Sequence, residues 1–315
     1  MRVVSAADID RVLTFPVLID ALADAFAGGI VAPVRHHHAI ERDGAHGTLL
    51  LMPAWTGAAS TRPFMGVKVV SVFPGNAARA LPSVMGTYLL MDGDTGEPEA
   101  AFDGTRLTLW RTAAASALAA RYLARPDATR MVMVGAGSLA PFLIRAHLSQ
   151  RPLSQVVLWN HRPEKAEALA ASLRQEGLPV TASVDLEAAV READLVSCAT
   201  LSQQALVKGE WLKPGTHLDL VGAFNLAMRE VDDVALQRAW IYIDTEAAQS
   251  EGGDVALALQ SGAIAEEDVR GDLFGLCAQP PFRDPDAITL FKSVGASLED
   301  LAAAMLVWRK LGDFA

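Results

Sequence analysis

The stretch Arg130-Met131-Val132-Met133-Val134-Gly135-Ala136-Gly137-Ser138-Leu139-Ala140 decides how the chain reads. Met131 to Val134 have the apolar character of a short buried strand. Gly135-Ala136-Gly137 ends it, with Ala140 three places on. Pro141 to Gln150 then reads as an apolar helix. A Gly-x-Gly-x-x-Gly/Ala pattern is informative in this strand–turn–helix setting because each small residue has its own task. Gly135 permits the tight turn, Gly137 lets a pyrophosphate approach the backbone, and Ala140 lets helix and strand pack closely. The helix start offers free N–H groups and the positive end of a dipole to the phosphates. An ordinary glycine-rich turn has no need of the second glycine. The pattern predicts a dinucleotide site at Gly135, Ala136, Gly137, Ser138 and Leu139.

Outward from that turn, strand and helix alternate. Gln155–Trp159, Val180–Ser183, Leu195–Thr200, His217–Val221 and Trp240–Asp244 read as further strands, with helices at 138–149, 163–176 and 185–193. Alternation of this kind gives a Rossmann-type, doubly wound parallel α/β sheet. The region before it is different. Residues 5 to 28 read as one helix, and Val34–Ile40, Thr48–Met52, Phe64–Val72 and Thr87–Met91 as short strands. Asp92-Gly-Asp-Thr-Gly96 is a turn that should lead to a strand at Glu99–Phe102. The modest alternation of Met65 to Val72 suits a sheet buried on both faces. Thr105 to Ala124, alanine-rich and carrying Arg111, reads as the helix that bridges into the second domain. From Asp244 to Gly275 the chain reads as helix or loop. After Ala287–Gly295, an amphipathic helix at Ser297–Leu311 should return to the first domain.

The length of 315 residues accommodates two domains and a sizeable core. Half of the residues are hydrophobic, yet no apolar run approaches the length of a bilayer span, so no membrane partner is expected. The first residues lack the apolar core of a signal peptide. Cys198 and Cys277 give neither a disulfide framework nor metal-ligand spacing. The simplest reading is a cytoplasmic protein. A net charge of −10 argues against nucleic acid, but says little about a small anionic substrate, since a few arginines can dominate a pocket.

The end of the second strand of a nucleotide-binding fold meets the adenine ribose. A carboxylate there selects NAD, and an arginine accommodates the 2′-phosphate of NADP. The chain has Trp159-Asn160-His161-Arg162 and no acid until Glu164. Asn160, His161 and Arg162 therefore favour NADP(H), with NAD(H) the alternative. His36-His37-His38 invites a metal reading, since His36 and His38 share a strand face. No third ligand is identifiable, and no metal is expected. Cys198 reads as a packed wall of the cofactor site rather than a nucleophile. Asp219, inside an apolar strand, has no role legible in sequence.

Arg35, Gly66-Val-Lys68-Val-Val70, Trp110-Arg111-Thr-Ala-Ala-Ala115, Gly135-Ala-Gly137 and Thr289-Leu-Phe-Lys-Ser-Val-Gly295, in that order, resemble the ornithine cyclodeaminase/mu-crystallin family. Leu51-Met-Pro-Ala54, Gly209-Glu-Trp-Leu-Lys-Pro-Gly215 and Glu251-Gly-Gly-Asp254 extend the resemblance nearly end to end. It implies a homodimer of two-domain subunits: a dinucleotide-binding domain at 113–287, and an α+β substrate and dimerisation domain made of both chain ends, 1–112 and 288–315. It also implies that a substrate carboxylate is held by Arg35, Lys68 and Arg111, a set whose chemistry suits a planar anion. The cofactor surface on this reading takes in Thr112, Ala199 and Thr200 beside Cys198. It continues through Gly222, Ser293, Val294 and Gly295.

One departure matters. The position at which cyclodeaminases carry an aspartate near the substrate amine falls here on Phe224, and a second family acid falls on Leu50. Cyclodeamination needs a group that accepts and returns protons at nitrogen, which phenylalanine cannot do. The resemblance therefore points to the reductase half of that chemistry. The expected reaction is NAD(P)H-dependent reduction of a small cyclic ketimine carboxylate, Δ1-pyrroline-2-carboxylate or Δ1-piperideine-2-carboxylate. Phe224 would be an apolar wall against the ring. Ornithine cyclodeamination would instead release ammonia, and an amino-acid dehydrogenase would show amine-dependent NAD(P)+ reduction. A non-catalytic NADPH-binding protein would show neither.

Overall fold

The computed structural model describes residues 1–42, 46–79 and 81–312. The chain divides into two compact units, Met1–Thr112 with Ala296–Ala315, and Ala113–Gly295. The boundary falls inside one helix, Gly104–Leu123. Among the described residues, no helix is long and apolar enough to cross a membrane.

The first unit is built on a seven-stranded sheet. Its strands are β1 (Arg2–Val4), β2 (Ile30–Val31), β3 (His36–Ile40), β4 (Gly47–Thr56), β5 (Phe64–Val72), β6 (Val84–Asp92) and β7 (Pro98–Asp103). They lie in the order β1-β7-β6-β5-β4-β2, with β3 also on β4. β1 runs parallel to β7 and every other pair is antiparallel. The β6–β7 turn is held by Asp92, whose Oδ1 accepts from the amides of Asp94 and Thr95, and Gly96 supplies the positive φ. Alternation along β5 sends Phe64, Gly66, Lys68 and Val70 to a buried face, and Met65, Val67 and Val69 to a half-exposed one. The C-terminal helix, Ser297–Gly312, packs on β4, β5 and β6 and against the helix Phe15–Ala27. A strand buried on both faces was the expectation for β5; among the described residues of this unit, Met65, Val67 and Val69 on the second face are only half-buried.

Residues 5 to 28 form two helices rather than one. Ser5 and Asp8 make a capping box for Ala6–Val12. Pro16 then restarts the helix, because a residue without an N–H is tolerated only in a first turn.

The second unit carries an eight-stranded, wholly parallel sheet. Its strands are β8 (Arg130–Val134), β9 (Gln155–Trp159), β10 (Val180–Ala182), β11 (Leu195–Cys198), β12 (His217–Leu220), β13 (Trp240–Ile243), β14 (Val269–Asp272) and β15 (Thr289–Lys292). The order is β10-β9-β8-β11-β12-β15-β13-β14. Two features depart from expectation. β15 lies between β12 and β13, so residues 288–295 belong to this unit, not to the first. β14, in a region read as helix or loop, is a sheet edge of sequence Val-Arg-Gly-Asp, with no apolar run to announce a strand.

Candidate functional site

Strand order reverses at β8, with β9 on one side and β11 on the other. That reversal opens a crevice at the carboxyl ends of the strands. Gly135 sits there with φ +112°, and its amide donates to the Trp159 carbonyl at 2.8 Å. A Cβ at this position would lie 2.6 Å from the Ala199 carbonyl oxygen, so only glycine fits. A Cβ on Gly137 would meet nothing within 4 Å. The backbone at Ala136 and Gly137 thus faces open space, as a pyrophosphate cradle must. The following helix, Ala140–Leu148, starts at Leu139 without a side-chain cap; the Ala140, Phe142 and Leu143 amides donate to the Gly137 and Leu139 carbonyls, so a ligand would meet the amides of the turn before them, at Ser138 and Leu139. Beyond β9, the Asn160 side-chain Nδ2 donates to the Arg162 carbonyl at 3.1 Å and braces the turn. His161 and Arg162 are exposed there, at the start of the helix Pro163–Gln175.

Buried carboxylates organise the rest of the rim. Glu230 accepts from the Thr200 amide (2.7 Å) and hydroxyl (2.8 Å) through one oxygen, and from the Gly222 amide (2.8 Å) through the other. It ties the loop after β11 to the loop after β12. Burial pushes its carboxyl up to about 7, against the pull of Lys292 and with Asp254 adding to the rise. Asp254 in turn accepts from the Glu230 and Val231 amides and pairs with Lys292 at 3.1 Å. Asp244 gathers the Ser293 hydroxyl and the Val294 and Gly295 amides on one oxygen at 3.0, 2.7 and 2.6 Å. These acids were not singled out in sequence, where a loop carboxylate that binds backbone looks like any solvated one. Asp219 is also explained. It accepts from the Ser197 hydroxyl at 2.6 Å and faces His147 Nε2 at 3.1 Å, joining β12, β11 and the glycine-turn helix. Cys198 is fully enclosed in the core, and burial, with Glu230 adding to it, holds its thiol well above the usual range. A thiol so enclosed is packed as an apolar side chain.

Phe224 lies in the loop after β12, 37% exposed, with its amide donating to the Gly222 carbonyl. The neighbouring Asn225 side chain accepts from the Ala227 amide and is committed to the loop itself.

In the first unit, Lys68 and Arg111 come together on the covered side of the sheet. The Lys68 ammonium pairs with Asp300 at 2.7 Å. Arg111 reaches Asp300 through Nε at 3.1 Å and Glu299 through a terminal nitrogen at 2.6 Å. The side chains are 3% and 6% exposed for the cations and 0% for both acids. A buried cation needs an anion, and these two have theirs within the chain, in the first turn of the C-terminal helix. Tyr88, opposite Lys68 in β6, is fully buried, and among the described residues its hydroxyl has no hydrogen-bond partner. Gly66 makes the room for it, since a Cβ there would lie 2.3 Å from that hydroxyl. Arg35 immediately precedes β3 and is half-buried. His36 opposes Leu51, and Leu51 opposes Val69, so the register continued one residue past the end of β3 brings Arg35 into line with the cross-strand row Met52–Lys68–Tyr88. Leu50 is half-buried in β4. Thr112 is buried at the end of the first unit. His36 and His38 are exposed on one face of β3, their rings edge-on at 6.5 Å.

Residues 3–313 match the model of the ornithine cyclodeaminase/mu-crystallin family. Protein SAR DEFICIENT 4 of Arabidopsis thaliana is 42% identical over 88% of this chain and 86% of its own. The Delta(1)-pyrroline-2-carboxylate reductase of Paracoccus denitrificans is 40% identical over 84% of this chain and 83% of its own. Among solved structures, the Thermococcus litoralis Delta(1)-pyrroline-2-carboxylate reductase in complex with NADH and L-proline superposes with a TM-score of 0.93. It is 30% identical and covers 100% of this chain and 98% of its own.

Proposed function

From a chain that belongs to the ornithine cyclodeaminase/mu-crystallin family, we propose the NAD(P)H-dependent reduction of a cyclic ketimine carboxylate. The substrate is Δ1-pyrroline-2-carboxylate or Δ1-piperideine-2-carboxylate, and the product L-proline or L-pipecolate. The observation that carries this reading is the pair Lys68 and Arg111, two desolvated cations braced side by side, in a chain with Phe224 at the cyclodeaminase acid position. When bound, the nicotinamide cofactor supplies the hydride. Ala136 to Leu139 would hold the pyrophosphate and Asn160 to Arg162 the adenine ribose, with Ala199, Thr200, Gly222 and Ser293 to Gly295 completing the cofactor surface of the second unit. Lys68, Arg111 and Arg35 hold the substrate carboxylate. An imine that arrives protonated needs no acid from the enzyme at nitrogen.

The test is NADPH oxidation with each imine, run beside an ammonia assay with L-ornithine and NAD+. Imine-dependent oxidation without ammonia supports the reductase; ammonia and proline from ornithine would return it to the cyclodeaminases.

Arg162 supports NADP(H) over NAD(H), since it is exposed at the ribose end of β9 with no acid beside it. Arg162→Ser should lower the NADPH-over-NADH ratio of kcat/KM by at least about tenfold. An unchanged ratio removes Arg162 from phosphate recognition.

Burial, reinforced by the Arg111 guanidinium and opposed by Asp300, pulls the Lys68 ammonium from 10.5 down to about 8. Affinity for L-proline should therefore fall above about pH 8, by about tenfold per pH unit, and Lys68→Arg should move that limb upward. The fold responds with the opposite sign. Lys68 ionises lower in the folded chain than in the unfolded one, so its contribution to stability improves from about pH 8 to 10.5 as the buried charge is relieved.

The half-buried apolar face of the seven-stranded sheet, carrying Leu51, Met65, Val67 and Val69, supports a homodimer through that face. Sedimentation of the purified chain decides it, and a monomer at micromolar concentration excludes it.

A further inference from the structure

One carboxylate stands where two loops of the second unit meet. A Cβ on Gly222, in the loop after β12, would run into the Thr200 backbone, in the loop after β11, and into the Glu230 carboxylate behind it. Only glycine lets the loops touch. Glu230 is fully buried, and both of its oxygens are taken. Oε1 accepts from the Thr200 amide and hydroxyl, at 2.7 and 2.8 Å, and Oε2 from the Gly222 and Ala223 amides, at 2.8 and 3.3 Å. The charged groups facing it are Lys292 on β15 and Asp254 on the helix Gly253–Ser261, which pair with each other. On β11 lies the Cys198 thiol, held protonated by burial with Glu230 adding to it. Arg229, the preceding residue, is turned to Asp233 and the Val231 carbonyl.

Four donors converge on this group, and a carboxylate accepts from all of them. A carboxylic acid does not. A proton on Oε2 would face two backbone N–H groups, which cannot accept it. On Oε1 it would face the Thr200 amide, and only the Thr200 hydroxyl could turn to take it. We propose that Glu230 is a positioning residue for the nicotinamide cofactor: ionised, it fixes Thr200 and Gly222 at the spacing in which they receive the dinucleotide; protonated, it lets the two loops part. The proposal rests on the reading of Thr200 and Gly222 as cofactor surface. Burial, opposed by Lys292 and reinforced by Asp254, brings the carboxyl to about 7, so the two forms exchange near neutral pH. Stability moves the other way. Glu230 ionises higher in the folded chain than in the unfolded one, so its contribution to stability improves as the pH falls from about 7 to 4.5. Glu230 therefore does not weaken cofactor binding in mild acid by unfolding the chain.

Calorimetric titration with NADH tests this, since NADH lacks the 2′-phosphate whose own titration near neutral pH would intrude. Affinity scales with the fraction of protein in the competent form, so that of the wild type should drop about tenfold from pH 8 to about pH 6. Glu230→Gln sets an amide NH2 against one pair of donors. It should bind NADH at about pH 8 as weakly as the wild type does at about pH 6, without the same dependence on pH. His161, exposed beside the ribose end of β9, is common to both proteins and cancels in their ratio. A wild-type-to-variant ratio that stays constant across that range gives Glu230 a structural part only and overturns the proposal. A second measurement needs neither variant nor cofactor. Hydrogen-exchange protection of the Thr200 and Gly222 amides, corrected for the intrinsic effect of pH, should rise about tenfold from about pH 6 to pH 8. Protection that does not change overturns the proposal as well. A wild-type protein that binds neither NADH nor NADPH overturns the cofactor surface itself, and with it both the proposed function and this role of Glu230.

Discussion

Arg111→Met should lower the stability of the first unit by about 3–5 kcal/mol and abolish the proposed imine reduction, because it removes one partner from a buried ionic cluster. The methionine keeps most of the length and apolar stem of the arginine, so lost packing is a small part of the effect. What is lost is the guanidinium that bridges the Glu299 and Asp300 carboxylates. Both acids are fully buried, so neither can recover the loss by hydration. Arg111→Lys should rescue little, because one ammonium cannot meet two carboxylates along two separate directions. The check is a denaturant titration followed by a probe in each unit, since a two-unit chain need not unfold in one step. A midpoint unchanged in the first unit, with turnover retained, would refute this account of the cluster.

The second large effect is at the glycine turn, where two neighbouring glycines should behave oppositely. Gly135→Ala places a methyl group 2.6 Å from the Ala199 carbonyl on a backbone with φ +112°. Strain and overpacking together should cost about 2–5 kcal/mol and weaken dinucleotide binding by two orders of magnitude or so. Gly137→Ala meets no protein atom within 4 Å. It should leave the unfolding midpoint within about 0.5 kcal/mol of the wild type. It should still weaken NADPH binding by roughly tenfold, since the methyl group occupies the space that a pyrophosphate needs. Fluorescence titration of NADPH beside thermal unfolding separates the two. Tight binding by Gly137→Ala would mean that the phosphates lie elsewhere.

How much of this was legible in the sequence follows from where each residue spends its side chain. The parallel sheet was readable because Met131–Val134 is buried on both faces and appears as an unbroken apolar run, with strands and helices alternating after it. β14 was not, because an edge strand of Val-Arg-Gly-Asp has no such run. β15 was seen as a segment, but its sheet partners are distant in sequence and local pattern could not assign them. Lys68 and Arg111 stood out as cations in apolar or alanine-rich surroundings. Glu299 and Asp300 did not, since acids in the first turn of a helix are the most ordinary of placements. The same ordinariness hid Glu230, Asp244 and Asp254, whose partners are backbone amides that carry no sequence signature.

The acids that neutralise Lys68 and Arg111 are encoded near the end of the chain, after the whole of the nucleotide-binding unit. During synthesis, β5 and the helix Gly104–Leu123 leave the ribosome with two cations and no counter-charge. The ~185 residues between Thr112 and Ala296, at roughly 5–20 residues per second, take about 10–40 s to follow. The contiguous unit has its whole sequence available before the acids of the discontinuous unit are made. The unit that begins the chain is thus the one whose buried ion cluster cannot close until the C-terminal helix has been made.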